Sequence, residues 1–451
     1  MPDWTIRDIA AVVGLAVSAW VTSASGADPL PRATPESVGF SSAGLARLDQ
    51  AMQDLVSSGK RAGLVYAVAR QGKLVALHAH GMRDLERRLP MTTDTLFRIY
   101  SMSRAVTGSA ILTLVEEGKL GLDDPVGKYL PAIGSMQVIK ELDGDRVIAT
   151  EPQRTPMTVR HLYNYTAGFG YAFDWPAGVG IQQQEVLALD GNLDDMVENL
   201  SRYPLLFHPG AKWYYGFHSD VLGAVAQVAA GQSLDQLVQQ RLLDRIGMQD
   251  TGFWVRRGGS DRLAAYYGLD EAGKLTPREP MPLSSYVSKG TFFSAGGGLV
   301  STAGDYLRFG QMLLNGGTLD GVRVLKPETV TAMATNALTE AQGGEVLWYD
   351  FDPAASRRGY GWGLAIGVRL PDRPHAVPGS VGDLTWYGLA NTYFFVDPRE
   401  QLVAVVMSQY VGPGAAELDF LLRRGVYGAL SDRVAADQAE SGSIRSTLVL
   451  E

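Results

Sequence analysis

Apolar runs of strand-like composition lie in two groups near opposite ends of this chain, and that separation limits the folds open to it. In the first group, Leu64-Val65-Tyr66-Ala67-Val68-Ala69-Arg70 and Leu74-Val75-Ala76-Leu77 flank Gln71-Gly72-Lys73, the pattern of a β-hairpin. In the second, Gly363-Leu364-Ala365-Ile366-Gly367-Val368, Thr392-Tyr393-Phe394-Phe395-Val396-Asp397-Pro398 and Leu402-Val403-Ala404-Val405-Val406-Met407 read as further strands. Residues 125–290 hold no convincing long strand; their patterns, such as Val221-Leu222-Gly223-Ala224-Val225 and Leu234-Asp235-Gln236-Leu237-Val238, are helical and broken by Pro/Gly loops. The simplest architecture is one antiparallel sheet built from both groups and flanked by helices, an α+β (α/β sandwich-like) fold with a mostly helical inserted domain. On this reading residues 28–124 plus 291–435 form the α/β domain and 125–290 the helical one. A chain of 451 residues, 46% of them hydrophobic, can support both.

Charge and composition exclude several functions. Charged residues make up 20% and the net charge is −8, so no basic surface argues for nucleic acid. There are no cysteines, which removes disulfides, thiolate metal sites and a cysteine nucleophile. Residues 1–27 read as a secretory signal: the run from Ile9 to Val21 is apolar but too short to span a bilayer, and Ser25-Gly26-Ala27 suits cleavage before Asp28. The expected location is then secreted or periplasmic, with no stable membrane insertion after cleavage. The alternative is an uncleaved amphipathic N-terminal helix on a cytoplasmic protein. Nothing in the chain speaks to its oligomeric state.

Helical spacing resumes at Ser101 and runs through Met102, Val106, Ile111, Leu114 and Val115 to Glu117, ending in the turn Gly118-Lys119-Leu120-Gly121-Leu122-Asp123-Asp124-Pro125. Its first residues, Ser101-Met102-Ser103-Arg104, almost spell Ser-x-x-Lys, in which a hydroxyl and an amine lie one turn apart and the amine can take the proton of the attacking oxygen. Arg104 keeps its proton at any working pH and cannot serve as that base. Read alone, Ser101 is more readily an N-cap, as serines at helix starts usually are.

The surrounding blocks carry a resemblance. Phe97-Arg98-Ile99-Tyr100-Ser101-Met102-Ser103-Arg104, Leu114-Val115-Glu116-Glu117-Gly118-Lys119-Leu120, Lys212-Trp213-Tyr214-Tyr215, Asp220-Val221-Leu222-Gly223, Gly296-Gly297-Gly298-Leu299-Val300-Ser301-Thr302, Met312-Leu313-Leu314-Asn315-Gly316-Gly317 and Trp386-Tyr387-Gly388 occur in that order. Over roughly residues 35–430 the chain resembles the serine β-lactamase and penicillin-binding protein-like superfamily, in the class C-like branch with family VIII carboxylesterases. The resemblance implies a nucleophile at Ser101 and a proton-transfer tyrosine at Tyr215, with Tyr214 its neighbouring competitor and a core aromatic the plain alternative. It also implies a strand triad, Trp386-Tyr387-Gly388, that binds substrate; Gly388 would let substrate lie along the strand edge. The N–H groups of Ser101 and Leu389 would form an oxyanion hole.

Tryptophan at the triad's first position, where β-lactamases carry lysine, removes a cation for a substrate carboxylate and tilts the expected substrate toward neutral esters. Arg104 becomes a fixed cation beside Ser101 and Tyr215 and cannot accept the proton. Losing a positioned general base typically costs ~10²–10⁴ in rate. Lys212 and Lys289 read as solvated surface residues. The six histidines, His78, His80, His161, His208, His218 and His375, form no His-Glu-x-x-His pair; His78 and His80 share a strand face without carboxylate support. No metal and no cofactor is implied. The expected activity is a serine hydrolase acting on esters of small or medium carboxylic acids through an acyl-enzyme, with β-lactam or amide side activity. The alternative is a non-catalytic binding protein that kept the pocket and lost the base, and the expected partner is a small-molecule substrate.

Overall fold

The computed structural model describes residues 28–431 apart from 188–189, 282, 284, 345, 347–358 and 372–376. The expected signal segment, 1–27, and His375 lie outside the described residues.

Eight strands form one antiparallel sheet: β1 Gly63–Arg70, β2 Lys73–Asp84, β3 Leu89–Pro90, β4 Tyr360–Trp362, β5 Gly367–Arg369, β6 Leu384–Gly388, β7 Thr392–Asp397 and β8 Leu402–Met407. Their order is β4-β5-β6-β7-β8-β1-β2-β3, so the two sequence groups meet at the β8–β1 pair, where Val65 faces Met407 and Arg70 faces Leu402. Both strands are buried along their whole length, which is why they read as continuous apolar runs rather than alternating ones.

Period two sorts these side chains into two layers. Leu64, Tyr66, Val68, Ala404 and Val406 join Leu45, Leu48, Met52 and Leu55 of α1 (Ser42–Ser57) and Leu418, Leu422 and Val426 of α5 (Glu417–Gly428). Val65, Ala67, Ala69, Val403 and Val405 belong to the larger core with α2 (Ser103–Glu116), α3 (His218–Ala230) and α4 (Ala303–Leu314). Each buried Leu, Ile or Val side chain contributes roughly 1.5–3 kcal/mol by leaving water.

Two expectations need correction. Residues 363–368 are not one strand. Gly363 N–H donates to Ile366 C=O at 2.9 Å and Ala365, at φ +62°, donates to Tyr163 C=O, so 363–366 is a buried turn between β4 and β5. It is apolar because it is enclosed, not because it is extended. Second, 125–290 contains a hairpin of six-residue strands, Val138–Asp143 with Arg146–Glu151. Its residues alternate between exposed and half-buried along 146–151, which leaves little apolar signal. Among the described residues no helix is long and apolar enough to cross a membrane.

Candidate active site

Ser101 sits in a single 3₁₀ turn, Tyr100–Met102, that leads directly into α2. Tyr100 adopts φ +39°, a left-handed conformation that is uncommon outside glycine and turns the chain sharply just before the serine. The surroundings hold that turn in place: Phe97–Arg98 pairs with Val300–Ser301, Ile99 N–H donates to Leu299 C=O at 3.0 Å, and Leu299 N–H donates to Ser103 Oγ at 3.1 Å. Ser101 is therefore not the cap of α2; the residue flanking that helix is Met102. Its hydroxyl instead lines a cavity of about 230 Å³.

Arg104, 1% exposed, organises the cavity floor. Nε donates to Tyr215 Oη at 2.7 Å, Nη1 to Tyr165 Oη at 2.7 Å, and Nη2 to Tyr171 Oη at 2.5 Å and Ser101 Oγ at 3.4 Å. The guanidinium also lies over the Tyr215 ring, 4.5 Å from its centroid. Burial alone would lower its pKa, but Tyr165, Tyr171, Tyr215 and Asp220 outweigh that and hold it well above its ordinary value. Asp220, in the first turn of α3, is 3% exposed and accepts from Ser294 Oγ at 2.6 Å and Gly296 N–H at 3.0 Å. Burial pushes its carboxyl up, while Arg104 and those two donors oppose the shift.

Of the two neighbouring tyrosines, Tyr215 faces the cavity, whereas Tyr214 Oη donates to Asp174 at 3.1 Å. Tyr215 Oη also accepts from Trp386 Nε1 at 3.3 Å. Trp386 is 1% exposed and packs on Tyr215 and Trp362, so it stands behind the cavity wall; Tyr387 and Leu389 form the wall itself. Gly388 also has a close backbone neighbour. A Cβ there would lie 2.2 Å from the Ile99 carbonyl oxygen, so the glycine lets β6 approach the backbone two residues before Ser101.

The remaining lining is largely apolar, with Phe173, Leu187, Trp213, Met281 and Leu283. Lys212 lies over the Phe207 and Tyr214 rings, and Lys289 pairs with Asp235 at 3.2 Å. His218 is buried beneath Tyr165, ring centroids 4.7 Å apart; burial and then Arg104 hold it well below its ordinary pKa, so it stays neutral. His78 and His80, expected to lack carboxylate support, both meet Asp49 of α1, at 3.5 and 2.8 Å.

Sequence reasoning missed Tyr165, Tyr171 and Ser294 and gave Asp220 no role. Asp220 carried a signal, an acid five residues past Tyr215 inside an apolar helix pattern. Tyr165 and Tyr171 lie in loops more than 60 residues from Arg104 in sequence, and no local pattern marks them.

A family model described as Beta-lactamase matches residues 48–427. Protein Rv1367c of Mycobacterium tuberculosis is 35% identical over 368 residues, covering 80% of this chain and 88% of its own. Esterase EstB of Burkholderia gladioli is 30% identical over 404 residues, covering 85% of this chain and 95% of its own. Among solved structures, EstCE1, described as a hydrolase with promiscuous acyltransferase activity, superposes with TM-score 0.72 at 26% identity over 85% of this chain and 99% of its own.

Proposed function

The chain belongs to the Beta-lactamase family, and from that premise we propose that it is a serine hydrolase that cleaves neutral esters of small or medium carboxylic acids through an acyl-enzyme on Ser101. The names and descriptions of EstB and EstCE1 support hydrolysis or transfer of acyl groups. The observation that carries the finer reading is that one guanidinium holds both Ser101 Oγ and Tyr215 Oη at the floor of an apolar cavity.

In the proposed mechanism Tyr215, as phenolate, takes the Ser101 proton while Oγ bonds to the ester carbonyl carbon, whose oxygen becomes the oxyanion. The N–H groups of Ser101 and Leu389 and the fixed charge of Arg104 stabilise that oxyanion. Collapse breaks the bond to the alcohol oxygen, which takes the proton back from Tyr215 and leaves acyl-Ser101 and phenolate. Water, or another hydroxyl acceptor, repeats the steps in reverse and frees the acid or a new ester. The lining beyond Arg104 is largely apolar, which favours neutral acyl groups. A cavity of about 230 Å³ exceeds the ~150 Å³ that accommodates benzene, which suits a short or medium acyl chain.

Hydrolysis of p-nitrophenyl butyrate tests the reading. The natural protein is expected to turn it over and Ser101→Ala to fall at least ~10³-fold, toward background. An unchanged rate in Ser101→Ala would remove Ser101 from the chemistry. A second reading, a binding protein without turnover, is favoured by Arg104 in place of a base. It predicts saturable ester binding with neither product nor acylated Ser101 by mass spectrometry.

A further inference from the structure

We propose that this site is built for arginine at position 104: Tyr165, Tyr171 and Gly296 form a seat specific for a guanidinium, in which the two tyrosines are positioning residues for Arg104. The inference rests on the ester-hydrolase reading for its kinetic test, not for its structural one.

Four hydroxyl oxygens surround Arg104, and each is met from a different direction. Tyr215 takes the Nε proton, Tyr165 one from Nη1, and Tyr171 and Ser101 one each from Nη2. An ammonium has three protons on a single atom and cannot reproduce this planar fork. Lysine here would leave at least one of the four oxygens without its donor, and Tyr165 is fully buried. Space is fitted to the same group. A Cβ at position 296 would stand 2.7 Å from Asp220 Oδ2 and 3.0 Å from Arg104 Nη1, so the glycine leaves room for the carboxylate and the guanidinium together. Tyr165 is itself held, sharing a 2.6 Å hydrogen bond with Ser219 Oγ. A lysine site that decayed by substitution would show an arginine squeezed among unsatisfied groups. Here every nitrogen of the guanidinium has a hydroxyl partner.

The test compares the natural protein, Arg104→Lys, Tyr171→Phe and Arg104→Lys/Tyr171→Phe by p-nitrophenyl butyrate kinetics, with kcat and KM separated, and by thermal unfolding. Arg104→Lys is expected to lower kcat ~10-fold or more with KM little changed, because an ammonium cannot hold Ser101 Oγ and Tyr215 Oη in the same fork. Tyr171→Phe is expected to lower kcat less, with most of its effect absent in the lysine background. Both single variants are expected to lower Tm by a few degrees. Arg104→Lys at or above the natural rate, or with unchanged or raised Tm, overturns the proposal. If the natural protein turns over no ester, the function reading fails by itself, and the Tm comparison still decides whether the seat is fitted to arginine.

Discussion

At Gly388 the sheet and the backbone that leads into the candidate nucleophile leave no room for a methyl group. A Cβ there would meet Ile99 O at 2.2 Å and Thr392 Oγ1 at 2.5 Å, and Ile99 is the second residue before Ser101. Gly388→Ala therefore has to push β6 away from the 3₁₀ turn or distort the turn. We expect a stability loss of about 1–3 kcal/mol by urea titration together with at least a tenfold loss of ester hydrolysis. Wild-type activity at reduced stability would show that the turn holds Ser101 without help from β6. The sequence made position 388 conspicuous for another reason, as a place for substrate. Which backbone presses against a glycine is a property of the folded pair, and residues 99 and 388 are far apart in the chain. Tyr165 and Tyr171 were invisible for the same reason, whereas Ser101 and Arg104 stood out by their one-turn spacing and Tyr215 only through the resemblance of its flanking block.

Among the elements, α4 carries a carboxyl whose titration falls in a range that stability measurements reach. Asp305, in its first turn, keeps part of its surface exposed while its carboxyl is enclosed, and that desolvation raises the pKa to about 6 against the bonds from Thr251 Oγ1 (2.9 Å) and Asp250 N–H (2.8 Å) that lower it. The Asp250 carboxylate adds to the rise and Arg308 opposes it. A carboxyl with a folded pKa above its unfolded value of about 3.9 binds the proton more tightly when folded. Its contribution is full below about pH 4 and is lost as pH climbs through about 6, on the order of 3 kcal/mol. Asp305→Asn, which keeps a neutral side chain at every pH, is expected to flatten the stability curve between pH 4 and 6; a natural-protein curve that already lacks this slope would place the Asp305 pKa near its ordinary value. Elements were easiest to foresee where burial was two-sided and the apolar run unbroken, as in β7 and β8. The exposed hairpin at 138–151 escaped notice because it buries so little, and the turn at 363–366 was mistaken for a strand because enclosure alone makes a segment apolar.

Across the whole molecule, one buried carboxylate joins the far edge of the sheet to the last described helix. Asp383, fully buried ahead of β6, accepts from Tyr360 Oη of β4 at 3.0 Å, from Arg423 Nη1 of α5 at 3.1 Å and from Arg369 Nη1 of β5 at 3.5 Å. Asp383→Asn leaves two buried guanidiniums short of charge, although Asp419 still meets Arg423 at 3.4 Å. A loss of about 3 kcal/mol is expected in the urea midpoint, and a loss below about 1 kcal/mol would mean that Asp419 and water suffice. The pairing of β1 with β8 has a consequence of another kind. Roughly 330 residues separate Arg70 from Leu402, its partner in the sheet. A ribosome adding ~5–20 residues per second needs roughly 15–70 s to cover that stretch. Through that interval the early hairpin stands with one flank unclaimed, open to a strand from any neighbouring chain. The nascent polypeptide needs shielding until β8 arrives, and the sheet that supports the serine cannot close until those roughly 330 further residues have been made.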